Sequence, residues 1–170
     1  MQFIVQCSIC QLSRWQVILT RAGGLIEPLE IGSRDCYPYL QSITSRWSDN
    51  DVYGHVNNVV YFSYFDTVVN QYLIAKGVLD FLRGEVIGLV VENTCRYFES
   101  LQFPDQITAG LLVQHLGRSS VVYQIGLFRN EQSEPAAQGR FVHVYVDRAT
   151  RRPVALPPAL RAALTSLIHP

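Results

Sequence analysis

Two carboxylates, an imidazole, a glycine and three amides stand together in Asp49-Asn50-Asp51-Val52-Tyr53-Gly54-His55-Val56-Asn57-Asn58, directly before a long apolar segment. A loop of this kind that feeds a helix places a proton acceptor, a proton donor and unpaired backbone N–H groups within a few residues of one another. The plainer reading is that the two aspartates satisfy loop N–H groups, as Asp commonly does ahead of a helix. Asn57 already stands where an N-cap belongs, so capping does not also require Asp51. Asp49, Asp51 and His55 are accompanied by no Glu-x-x-His helix and no Cys/His cluster, and no metal is expected there.

The elements that must position this loop follow from periodicity. Residues from Tyr39 to Trp47 alternate as a strand and end at the polar Ser48-Asp49-Asn50-Asp51 turn. Val59 to about Lys76 is apolar or aromatic on nearly every side and stops at Gly77, which predicts a buried helix. Tyr61, Tyr64, Phe65 and Tyr72 are its packing aromatics. Val86 to Ser100 reads as a strand closed by Phe103-Pro104-Asp105, and Ile107–Leu116, Ser119–Arg129 and Gly139–Asp147 as three more. In the last, valines alternate with Phe141, His143 and Tyr145, of which His143 and Tyr145 are expected at an interface or surface. Leu156-Pro157-Pro158 then opens a short helix through about Leu167. One strand, one helix and four consecutive strands make an α+β domain, an antiparallel sheet wrapped around one long central helix. Its free edges give a physical motive for pairing with a second copy.

Composition sets the wider limits. At 170 residues the chain makes one core. With 48% hydrophobic and 16% charged residues it carries spare apolar surface for association. Lys+Arg and Asp+Glu balance at 14 each, so no global field draws nucleic acid or an anionic membrane, and no apolar run reaches membrane-spanning length. Cys7, Cys10, Cys36 and Cys95 are too few and too irregular for a disulfide scaffold, which fits a reducing cytoplasm; Cys7 and Cys10 read as ordinary thiols despite their CxxC spacing. The chain divides into an N-terminal extension (1–36), a central domain (37–150) and a C-terminal helical tail (151–170). The first 26 residues lack acids and carry Arg14 and Arg21, so the extension reads as an organelle-targeting leader, an extra strand or an unstructured arm.

The pattern Arg46-Trp47-Ser48-Asp49-Asn50-Asp51-x-x-Gly54-His55-Val56-Asn57-Asn58-x-x-Tyr61-x-x-Tyr64 resembles the motif of hotdog-fold acyl-CoA thioesterases of the 4-hydroxybenzoyl-CoA thioesterase type. The resemblance implies a hotdog fold over residues 39–148 and hydrolysis of an acyl-CoA between two subunits of a homodimer or dimer of dimers, without a cofactor. It places Asp51 where the family carries its catalytic carboxylate, nucleophile or base, and His55 and Asn58 at the helix start facing the thioester. Gly54 would keep the approach open and Tyr61 would border the acyl pocket. Arg118, Ser119 and Ser120 fall where relatives contact the CoA phosphates, although one arginine stands where relatives are often more basic. Asp49 then shapes the loop. Thioester cleavage suits such a set, because a thiolate leaves with little help and the demands are attack on carbon and stabilisation of an oxyanion. The rival functions are a thioesterase for acyl groups on acyl-carrier protein, for which Arg151-Arg152 offer a basic patch, and a non-catalytic acyl-CoA binding module, which would have no need of Asp51.

Overall fold

The computed structural model describes residues 32–168. Cys7, Cys10 and the proposed leader lie outside the described residues. Five strands form one antiparallel sheet: β1 (Tyr39–Ile43), β2 (Val86–Tyr97), β3 (Ile107–Leu116), β4 (Ser120–Arg129) and β5 (Ala137–Asp147), in the spatial order β1-β3-β4-β5-β2. Two helices complete it, α1 (Asn58–Ala75) and α2 (Pro158–Thr165). This is the hotdog arrangement, the sheet curling about α1.

Helix α1 forms where expected because Asn57 caps it, its side-chain oxygen accepting from the Val59 N–H at 3.2 Å, and Gly77 ends it with φ +66°. Tyr61, Tyr64, Phe65, Val68, Val69, Tyr72 and Leu73 recur at helical spacing and are buried against the sheet. Phe65 needs Gly139 opposite it on β5, where any Cβ would overlap its ring. The expectation of a helix buried all round is corrected: Val59 is 64% exposed and Ile74 also faces outward, and between them the exposed Ser63, Asp66 and Gln71 make the outer face polar.

Two further expectations change. The first strand ends at Ile43, and Trp47 belongs to a one-turn 3-10 helix, Trp47–Asp49, which bends the chain toward α1. His143 and Tyr145 are not surface residues. With Phe141 they form the helix-facing side of β5 and are almost wholly buried, because β5 lies between β4 and β2 rather than at an edge. The edge on that side is β2, whose Val91 is 59% exposed and flanked by the exposed Leu89 and Val90.

Candidate active site

The loop between β1 and α1 divides at Asn50. In its first half, Asp49 is only 1% exposed and both oxygens of its carboxylate are engaged. Oδ2 accepts from the Arg46 N–H and the Tyr64 hydroxyl, both at 2.8 Å, and Oδ1 accepts from the Arg46 guanidinium at 3.0 Å. Burial by itself would raise this carboxyl, but the Tyr64 hydroxyl and the Arg46 donors outweigh it and hold the group below the usual carboxylate range. Burial and the Asp49 charge in turn push the Tyr64 hydroxyl up.

The second half closes on itself differently. The Asp51 N–H donates to the His55 carbonyl at 2.8 Å and the Gly54 N–H to the Asp51 carbonyl at 3.1 Å, a tight turn that needs Gly54 at φ +81°. No atom within 4 Å would meet a Cβ there, so glycine serves the backbone conformation rather than clearance. Asp51 Oδ1 accepts from the Tyr53 N–H at 2.8 Å and more weakly from the His55 N–H at 3.4 Å, while Oδ2 has no partner among the described residues. The side chains of His55 and Asn58 also make no hydrogen bond there. The Asn58 N–H, first in α1, has no acceptor among the described residues, since Asn57 covers the Val59 N–H and its carbonyl takes the Val60 N–H.

Neighbouring segments hold this turn in place. The Val56 N–H donates to the Leu101 carbonyl at 2.8 Å, the Phe103 N–H to Asn50 Oδ1 at 3.0 Å, and the Leu101 N–H to the Tyr61 hydroxyl at 3.3 Å. The buried Tyr61 ring meets Tyr97 edge-on at 4.9 Å, and the Tyr97 hydroxyl reaches toward the Asn58 carbonyl at 3.5 Å. Tyr97 lies outside the set that the sequence singles out. Its alternation with Asn93 and Cys95 on one face of β2 is the signal that marks it.

Asp51, Gly54, His55, Asn58 and Tyr61 therefore gather at one end of the molecule. Arg118, Ser119 and Ser120 do not. Arg118 and Ser119 lie in the β3–β4 turn and Ser120 opens β4, with the Arg118 carbonyl accepting from the Leu156 N–H and the Ser119 carbonyl from the Tyr145 N–H. β1 meets β3 at Ile43 opposite Ile107, so the turn after Leu116 lies at the far end of a ten-residue strand, about 30 Å away. Among the described residues no three His, Cys, Asp or Glu side chains gather to hold a metal ion, and no helix is long and apolar enough to cross a membrane.

The model of the thioesterase-like superfamily matches residues 45–164, more than half of the chain. The chain belongs to the thioesterase-like superfamily. As a member it is a thioester hydrolase with the hotdog fold. Its structural relatives include protein PA5185 of Pseudomonas aeruginosa PAO1, 54% identical with a TM-score of 0.79 over 81% of this chain and 96% of that one. Protein PA2801 of Pseudomonas aeruginosa is 28% identical with a TM-score of 0.70, covering 75% of this chain and 98% of that one. A thioesterase of Thermus thermophilus, crystallised with coenzyme A and Zn, is 29% identical with a TM-score of 0.66, over 78% and 96% of the two chains. The family match begins just before the Asp49–Asn58 loop and runs through most of α2, so it takes in all of the gathered side chains.

Proposed function

We propose that this thioesterase-like protein hydrolyses an acyl-CoA to the free acid and CoA, with Asp51 as nucleophile or general base. The observation that carries the reading is the half-engaged Asp51 carboxylate, with Oδ1 held by loop N–H groups and, among the described residues, Oδ2 without a partner, seven residues ahead of an N–H at the start of α1 that has no acceptor among them. As base, Asp51 takes a proton from water while the water oxygen attacks the carbonyl carbon; as nucleophile, it forms a mixed anhydride that water then cleaves. In both, the C–S bond breaks, the thiolate leaves, and the Asn58 N–H with the α1 dipole stabilises the oxyanion. His55 and Gly54 shape this turn and Tyr61 borders the acyl group. That a relative from Thermus thermophilus was crystallised with coenzyme A supports the choice of thiol.

The working unit in this reading is a homodimer, alone or within a dimer of dimers, formed where the unpaired apolar edge of β2 meets a second copy. Antiparallel pairing of the two β2 edges inverts one sheet relative to the other. The Arg118-Ser119-Ser120 end of one copy then lies on the same side as the Asp51 loop of the other, where it can bind CoA phosphates. A panel of acyl-CoA substrates of varied chain length, read by free thiol release, tests the function: sustained release with at least one is expected, and none with any of them would overturn it.

A further inference from the structure

A second polar group is left without a partner, at the other end of α1. A cavity of about 290 Å³ lies between the C-terminal half of α1, the Leu79–Phe81 segment, the start of β2 and the end of β5. Its walls are largely apolar, with Leu73, Leu79, Phe81 and Ile87. Three of its polar residues are engaged elsewhere. Asn70 donates to the Asp66 carbonyl at 2.9 Å, the Tyr145 hydroxyl pairs with that of Tyr123 at 3.0 Å, and Arg148 donates to the Gly84 and Phe81 carbonyls at 2.6 and 3.1 Å. His143 is the exception. It is 4% exposed, packs among the rings of Phe141, Tyr123 and Tyr145, and neither ring nitrogen makes a hydrogen bond among the described residues.

The ring borders the cavity at Gly88, where a Cβ would come within 3.1 Å of Nδ1. Glycine therefore leaves room beside Nδ1, while the nitrogen buried without a partner among the described residues is Nε2. Burial pushes the imidazole down to about 4, so at neutral pH it carries one N–H and one lone pair, the complement of a hydroxyl. Asn93, whose Oδ1 is likewise buried without a partner among the described residues, faces the same side of the sheet. Val90 pairs with His143 and Asn93 with Phe141, so Asn93 and His143 are diagonal neighbours about 7–8 Å apart. A buried polar group without a partner is destabilising. His143 lines the cavity without a hydrogen bond among the described residues, and an imidazole so placed marks a ligand with matching polarity.

We infer that this cavity receives the far end of the acyl chain and that His143 selects acyl groups carrying a hydroxyl. This rests on the acyl-CoA hydrolase reading above. Two copies paired antiparallel through β2 bring the Val86 end of one strand to the Tyr97 end of the other. The cavity of one copy then lies at the same end as the Asp51 loop of its mate.

The test compares octanoyl-CoA with its monohydroxy derivatives, in turnover and in calorimetric binding of the thioether analogues, for the wild type, His143→Phe and His143→Gln. The wild type should favour at least one hydroxylated chain by about tenfold or more. His143→Phe should lose about tenfold more on that chain than on octanoyl-CoA, and His143→Gln, which keeps a hydrogen-bonding group, should restore part of the preference. Should His143→Phe fail to fold, Gly88→Ala, whose Cβ would crowd the His143 ring at 3.1 Å on the cavity wall, reads the same ratio. No hydroxyl preference in the wild type, or equal loss on both chains, overturns the inference and leaves the hydrolase reading standing. Hydroxyl-selective binding without turnover of any acyl-CoA overturns the hydrolase reading and leaves the cavity assignment standing.

Discussion

Asp49 and Asp51 are two residues apart in one loop, yet the halves they belong to are built to opposite ends. The Arg46–Asp49 half is saturated: a carboxylate almost without exposure has both oxygens engaged by an arginine and a tyrosine hydroxyl, and the loop is thereby pinned to α1. The Asp51–Asn58 half is closed by backbone bonds and by one oxygen each of Asp51 and Asn57, so among the described residues the other carboxylate oxygen, an imidazole and a helix N–H remain available. The first half places the second. A charge fully satisfied within the protein gains nothing from substrate, whereas a partly satisfied one retains the capacity to take a proton or attack.

Breaking each half should have a different consequence. Asp51→Ala should lower kcat/KM about 100- to 10,000-fold in thiol-release assays while the melting temperature stays near the wild-type value. Asp49→Ala should do the reverse, costing about 2–4 kcal/mol in urea unfolding because the Tyr64 hydroxyl and Arg46 N–H lose a charged acceptor in a buried place. Its pH signature sharpens the point. The folded carboxyl sits below its ordinary value, so its stabilisation is complete above the ordinary carboxylate pKa of about 3.9 and fades as pH falls through the folded value. Wild type and Asp49→Asn should therefore differ most near neutral pH and converge in acid.

Gly54→Ala should cost about 1–2 kcal/mol from the positive φ and reduce turnover through the displaced Asp51, with both effects read in one preparation. The smallest change is expected for Arg118→Ala, a raised KM for acyl-CoA with kcat little altered, since a phosphate contact binds ground and transition states alike.

The order of elements is legible in the sequence because each strand and α1 has a clean period and a chemical stop: Gly77 after the helix, Phe103-Pro104-Asp105 after β2. The loop's place ahead of α1 is legible too, while the full engagement of the Asp49 carboxylate follows from Arg46 and Tyr64, which only the fold brings to it. What escapes depends on neighbours far away in the chain. Alternation shows that His143 and Tyr145 share a face with Phe141, but only the order β4-β5-β2 makes that face interior. The distance from Arg118 to Asp51 likewise follows from register, which periodicity does not set. Gly54 suggests clearance in the sequence, whereas the backbone at φ +81° is what requires it.

The central claim is that Asp51 does chemistry that its local hydrogen bonds do not explain, and Asp51→Asn addresses it most directly. An amide oxygen can still accept from the Tyr53 and His55 N–H groups, so the loop is kept and only the basic, nucleophilic oxygen is removed. Measured at saturating acyl-CoA on protein with wild-type melting behaviour, kcat should fall about 100-fold or more. A kcat close to wild type would contradict the account and return Asp51 to the role of a turn residue.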